Sequence, residues 1–175
     1  MKLLYSLLFV LAFSTLSGQG TQLLRQPTLS KDHVVFVYAN DLWKADRTGG
    51  AAIRLTTHEG YESLPHFSPD EQWIAFTAAY DGNTDVYVIP AEGGTPQRLT
   101  WHPDGDFVTG WTPDGQVLFR SGREGHPTQT NKLYTVSRKG GLPVALGIPR
   151  AAYGEISADG QKIAYVPITY WDPEW

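Results

Sequence analysis

Three short units in this sequence could carry chemistry: Ser68-Pro69-Asp70, Thr112-Pro113-Asp114 and Ser157-Ala158-Asp159. A hydroxyl near a carboxylate is raw material for nucleophilic catalysis when a base such as His lies against it. Two carboxylates can do general acid–base work when they sit unequally about a substrate. Neither condition is met. The Asp residues recur one per unit, and no Gly-x-Ser-x-Gly elbow occurs. Ser68 and Ser157 therefore read as turn caps, their side chains bonded to nearby backbone. The five His (33, 58, 66, 102 and 126) form no His-Glu-x-x-His or other close pair, so zinc has little support. His58 follows Arg-Leu-Thr-Thr and His102 follows Arg-Leu-Thr-Trp, equivalent places that point to a connecting role. Asp81-Gly82-Asn83-Thr84-Asp85 resembles the opening of a calcium loop, and Glu92 stands twelfth from Asp81. Its sixth position is Val86 where such a loop needs Gly, and Val86 to Ile89 reads as strand. No catalytic, cofactor-binding or metal-binding residue is assigned, and no cofactor is expected.

The elements that hold these units explain them better. The units head the blocks Phe67–Ala78, Trp111–Ser121 and Ile156–Pro167, with Ser68, Thr112 and Ser157 spaced by 44 and 45 positions. A second piece follows each block. It carries the Gly pairs 49–50, 93–94 and 140–141 and the matching runs Arg54-Leu55-Thr56 and Arg98-Leu99-Thr100. A weaker copy starts at Leu29. A period of about 40–45 residues built from strands and tight turns is the mark of a propeller blade. The apolar runs 74–76, 117–119 and 163–166 fit strands buried on both faces. Asp-Gly at 114–115 and 159–160 supplies the preceding turn. Trp43, Tyr87 and Tyr134 fall at equivalent positions and read as blade-to-blade packing. Tyr61 to Phe67, with Pro65, reads as a fourth strand linking to the next blade.

The expected fold is all-β. It is an incomplete β-propeller of about three four-stranded blades, from about residues 29, 67 and 111, plus the first strand of a fourth from 156. Propellers close with about 4–8 blades. The expectation is therefore a fragment of a longer protein, or closure by homo-oligomerisation. Trp171 and Trp175 would pack on sequence beyond this chain.

Composition narrows the class. The chain has 175 residues, 41% hydrophobic and only 18% charged, with 6 Trp, 9 Tyr and 7 Phe: a globular β composition. The net charge of −4 and the lack of a basic run disfavour nucleic acid and anionic membranes. Lys2 followed by apolar Leu3–Phe13 and small or polar Ser14–Gly20 reads as a signal peptide over 1–20, leaving 21–175 as propeller. The apolar run falls short of the ~20 residues of a membrane-spanning helix. With no Cys there is neither a lipid anchor nor a disulfide. The expected product is periplasmic or secreted, with no membrane attachment after cleavage.

Ser68-Pro69-Asp70 with Ile74-Ala75-Phe76, then Asp85-Val86-Tyr87-Val88, then Gly93-Gly94 and Arg98-Leu99-Thr100, resembles the propeller repeats of TolB and of tricorn-type proteases. The opening Leu23–Asp70 and the run Tyr153-Gly154-Glu155-Ile156-Ser157 look like the first blades of exported tricorn-like peptidases. That resemblance implies a non-catalytic module gating or guiding peptide substrates toward a serine peptidase region later in a longer chain. Its implied partners are a peptide or protein substrate and that missing C-terminal region. A TolB-like periplasmic binding propeller is the alternative. A propeller fused to an amidohydrolase or prolyl-oligopeptidase-type domain is a third reading.

Overall fold

The computed structural model describes residues 23–124 and 130–168. The leader at 1–20, His126, Trp171 and Trp175 lie outside them. The described chain holds only β-strands, with no helix. The first sheet is β1 (Arg25–Leu29), β2 (His33–Tyr38), β3 (Asp41–Asp46) and β4 (Ile53–Arg54). The second is β5 (Glu62–Phe67), β6 (Trp73–Ala78), β7 (Asp85–Pro90) and β8 (Gln97–Arg98). The third is β9 (Asp106–Trp111), β10 (Gln116–Ser121), β11 (Lys132–Ser137) and β12 (Val144–Ala145). The last pairs β13 (Ala151–Ile156) with β14 (Ile163–Pro167). Every sheet is antiparallel and runs in sequence order, as meandering propeller blades do.

The expected architecture of about three four-stranded blades stands. The strand grouping differs in one respect. The strand before each Ser/Thr-x-Asp turn is the first strand of its own sheet, not the last of the preceding one. Tyr61–Phe67 read as a link because Pro65 and the polar Glu62 and Ser63 break its apolar pattern. The final sheet accordingly holds two described strands.

Period-2 alternation feeds two seams from one strand. On β6, Ile74, Phe76 and Ala78 pack with Val35, Val37 and Leu42 of the first sheet. Its Ala75 packs the other way, with Val108, Val117 and Phe119 of the third. Leu118, Leu133 and Ala151 begin the seam to the fourth, joined by Ile156 and Ile163.

The initial strands β1, β5, β9 and β13 are successive neighbours along the inner side of the sheets. Register shifts interrupt their pairing, at Arg25/Thr28 in β1 and Ser63/His66 in β5 for example. Gln26 and Leu64, each before a Pro, take φ of 50° and 52° at these bulges.

Candidate functional site

The inner strands build a surface where several sheets contribute side chains to a common concavity. Leu64 and His66 of β5, Val108 and Thr109 of β9, Tyr153 and Glu155 of β13 and residues of β14 line a cavity of about 470 Å³. At the bulges, backbone N–H groups freed from the ladder bond side chains of the preceding sheet and so fix these strands. The Leu64 N–H donates to Gln26 Oε1 at 2.9 Å, and the Val108 N–H to Thr77 Oγ1 at 2.8 Å. Trp111 Nε1 donates to the His66 carbonyl at 2.9 Å. Burial lowers the His66 imidazole to a pKa of about 4, so it is neutral at pH 7. The wall is apolar with a neutral imidazole, a Thr hydroxyl and a carboxylate. That suits an uncharged, hydrogen-bonding chain such as a peptide.

The residues singled out in the sequence do other work. Ser68 Oγ donates to Asp70 Oδ1 at 2.5 Å and accepts from the Trp73 N–H at 3.0 Å. Ser157 repeats this with Asp159 and the Lys162 N–H. Thr112 Oγ1 accepts from the Gln116 N–H at 2.9 Å. Hydrogen bonds from the neighbouring hydroxyls hold Asp70, Asp114 and Asp159 below the usual carboxylate pKa. These hydroxyls close turns. His58 and His102 also share one role: Nδ1 accepts from the N–H two residues on, Gly60 at 3.0 Å and Asp104 at 3.1 Å. His33 faces Asp46 at 3.4 Å. Asp81 and Asp85, the ends of the calcium-like run, both bind Arg98, at 3.2 and 2.6 Å. Asp41 and Arg54 form the equivalent pair at 2.7 Å. Tyr87 and Tyr134 stack alike, on Phe76 at 5.8 Å and Phe119 at 5.7 Å. Trp43 instead lines the open face of the first sheet, in a groove of about 620 Å³ with Phe36 and Tyr38.

Sequence reading missed two buried acids. Glu62 and Asp106, 44 positions apart, open β5 and β9 and are fully buried. Their backbone N–H groups make matching bonds to the Asn40 and Thr84 carbonyls of the preceding sheets. Their repeat spacing was the available signal, obscured because Glu and Asp differ.

Among known proteins, the pattern of the tricorn protease N-terminal beta propeller domain matches residues 21–175. Tricorn protease homolog 1 of Streptomyces coelicolor is 40% identical over 96 residues, 54% of this chain and 9% of that protein. The crystal structure of the tricorn protease superposes with a TM-score of 0.70 at 25% identity, covering 79% of this chain and 14% of that one. TolB from Acinetobacter baumannii gives 0.66 at 25% identity, covering 81% of this chain and 37% of that one. The chain thus spans a small part of each relative's length. With blades, turns and seams as described and a matching pattern over residues 21–175, the chain belongs to the tricorn protease N-terminal beta propeller family.

Proposed function

We propose that this propeller is the non-catalytic, substrate-guiding module of a larger exported tricorn-type serine protease. The observation that carries this reading is the inner-strand wall, where apolar side chains stand with His66, Thr109 and Glu155 around a concavity of about 470 Å³. The module acts by shape: it admits unfolded chain and excludes folded protein, while a peptidase region elsewhere cleaves. The leader-like residues 1–20 support a periplasmic or secreted location. Among the described residues, the outer faces of the first and last sheets carry exposed apolar side chains that further blades or a second copy would cover.

Filling the wall tests this in the full-length protease. Thr109→Trp is expected to lower cleavage of long unfolded substrates severalfold more than cleavage of a dipeptide reporter. Equal losses on both would sink the reading. The TolB likeness, over 81% of this chain, favours a second one, a periplasmic protein-binding propeller. A full-length product without peptidase activity that captures a folded protein partner would support it instead.

A further inference from the structure

The seam between the first two sheets contains an acid with no cation against it. Glu62 Oε2 accepts from the Leu42 N–H at 2.9 Å and from Thr56 Oγ1 at 2.5 Å. The Tyr80 hydroxyl bonds Oε1. All three donors are neutral. Leu42 and Thr56 belong to the first sheet and its following loop, Glu62 and Tyr80 to the second, so this carboxyl ties two blades together. His58 stacks on the Tyr80 ring at 3.9 Å. Both line, with Thr56, a cleft of about 330 Å³.

The charged groups nearby are otherwise engaged. Asp41 of β3 pairs with Arg54 of β4, and Lys44 of β3 with Glu92. Arg25 of β1 lies over the Tyr61 ring, His33 of β2 faces Asp46, and Asp106 of β9 holds Arg123. β6 carries no titratable group; on β7, Tyr87 is a buried neutral phenol and the buried Asp85 pairs with Arg98 at 2.6 Å, its pKa also raised by burial. Among the described residues, no cation bonds Glu62.

We propose that Glu62 is a proton-operated latch between the first two sheets, closed when the carboxyl carries a proton and loosened when it does not. Protonated, its O–H donates to the Tyr80 oxygen while Oε2 keeps the Leu42 and Thr56 bonds, and the carboxyl is bonded at both oxygens without charge. Ionised, the proton leaves to solvent and a bare carboxylate stays buried on neutral donors, which is costly. Burial raises the Glu62 pKa above the ordinary Glu value; the Thr56, Tyr80 and Leu42 hydrogen bonds offset part of the rise, and Asp41 adds to it. For an acid raised on folding, the folded state binds the extra proton. The stability is fully present below the ordinary Glu pKa and is lost as pH rises through the folded value.

Hydrogen exchange on the full chain tests the latch, with each amide corrected for its intrinsic rate. Protection of the Leu42 amide is expected to fall with rising pH, by up to about tenfold per pH unit between the ordinary Glu pKa and the folded value, and to level off above it. The Ala151 amide, which donates to the Asn131 carbonyl in the third seam, is the internal reference. In Glu62→Gln, Oε1 can accept from Leu42 and Thr56 and the amide can donate to Tyr80, so Leu42 protection should follow Ala151 at every pH. The same decline in wild type and variant overturns the proposal. Should Glu62→Gln not fold, wild type decides by infrared titration of protein labelled with carbon-13 at the glutamate carboxyls, which leaves out the buried Asp85. A protonated glutamate band that persists above the range of the other glutamates supports the latch; titration with them overturns it.

Discussion

Two seams of this propeller are built on the same backbone and hold opposite electrostatics. At the first, Glu62 opens β5 and faces Tyr80; at the second, Asp106 opens β9 and faces Arg123 at 2.7 Å. Tyr80 and Arg123 each stand two residues past the end of their strand, β6 and β10. Even their surroundings match. Tyr80 lies 6.4 Å from Phe76 and 4.6 Å from Tyr87, while Arg123 stacks over Phe119 and Tyr134 at 5.2 and 5.0 Å. The third seam keeps the backbone bond, from the Ala151 N–H to the Asn131 carbonyl, with no acid at all. The blade thus dictates where an acid can sit, and the residue at the position of Tyr80 or Arg123 decides whether it is neutral or charged.

Breaking the charged seam should cost most. Arg123→Met keeps the stem over the two rings and removes the only cation bonded to Asp106 among the described residues. Asp106 is fully buried, and one of its oxygens already lacks a partner. An uncompensated buried charge costs about 3–5 kcal/mol. The expected result is an unfolding free energy lowered by that amount, read as a lower urea midpoint with the slope unchanged. A loss below about 1 kcal/mol, the scale of a surface pair, would show that the pair is not sealed.

The neutral seam should give way less. Tyr80→Phe keeps the ring on His58 and Tyr87 and removes one donor to Glu62. Leaving a buried carboxyl short of one bond costs about 1–3 kcal/mol. The converse change, Tyr80→Arg, sharpens the comparison by putting a guanidinium where Arg123 stands. It should bring the Glu62 pKa down and flatten the pH dependence of Leu42 protection. If Leu42 in that variant still tracks pH as in wild type, the residue at this position does not set the charge state.

The repeat itself was legible because turns and strands obey local rules. Asp-Gly turns, period-2 apolar runs and Gly pairs recur at fixed spacing, and the sheets appear where those signals stand. The first strand of each sheet was not legible as such, because its bulges and Pro27 or Pro65 disrupt alternation and its partners lie downstream. Arg54 and Arg98 were visible as matching residues, but their roles were not: each binds an Asp 13 positions earlier, across a strand pair. Glu62 and Asp106 were hidden for a related reason. Their meaning depends on Tyr80 and Arg123, 18 and 17 residues away, and only the fold brings them together.

The turns make the opposite case to the seams, since there the blades should respond alike, and the smallest effects test that. The residue three after Ser68, Thr112 or Ser157 sits in the left-handed region: Glu71 at φ 58°, Gly115 at 81° and Gly160 at 70°. A side chain there costs roughly 1–2 kcal/mol for a residue other than Gly. A Cβ on Gly115 would meet nothing within 4 Å, so Gly115→Ala isolates the backbone cost, expected at about 1 kcal/mol. Glu71 bears that cost in the native chain and returns a bond, since the Lys31 N–H donates to its Oε1 at 2.8 Å from the neighbouring sheet. Glu71→Gly therefore relieves strain while severing a link between blades, and the two terms, each about 1 kcal/mol, should nearly cancel. Thermal midpoints of the two variants would separate the contributions. A clear gain for Glu71→Gly would mean the exposed Lys31 bond is worth little. A clear loss would mean the first two sheets depend on it as they do on Glu62.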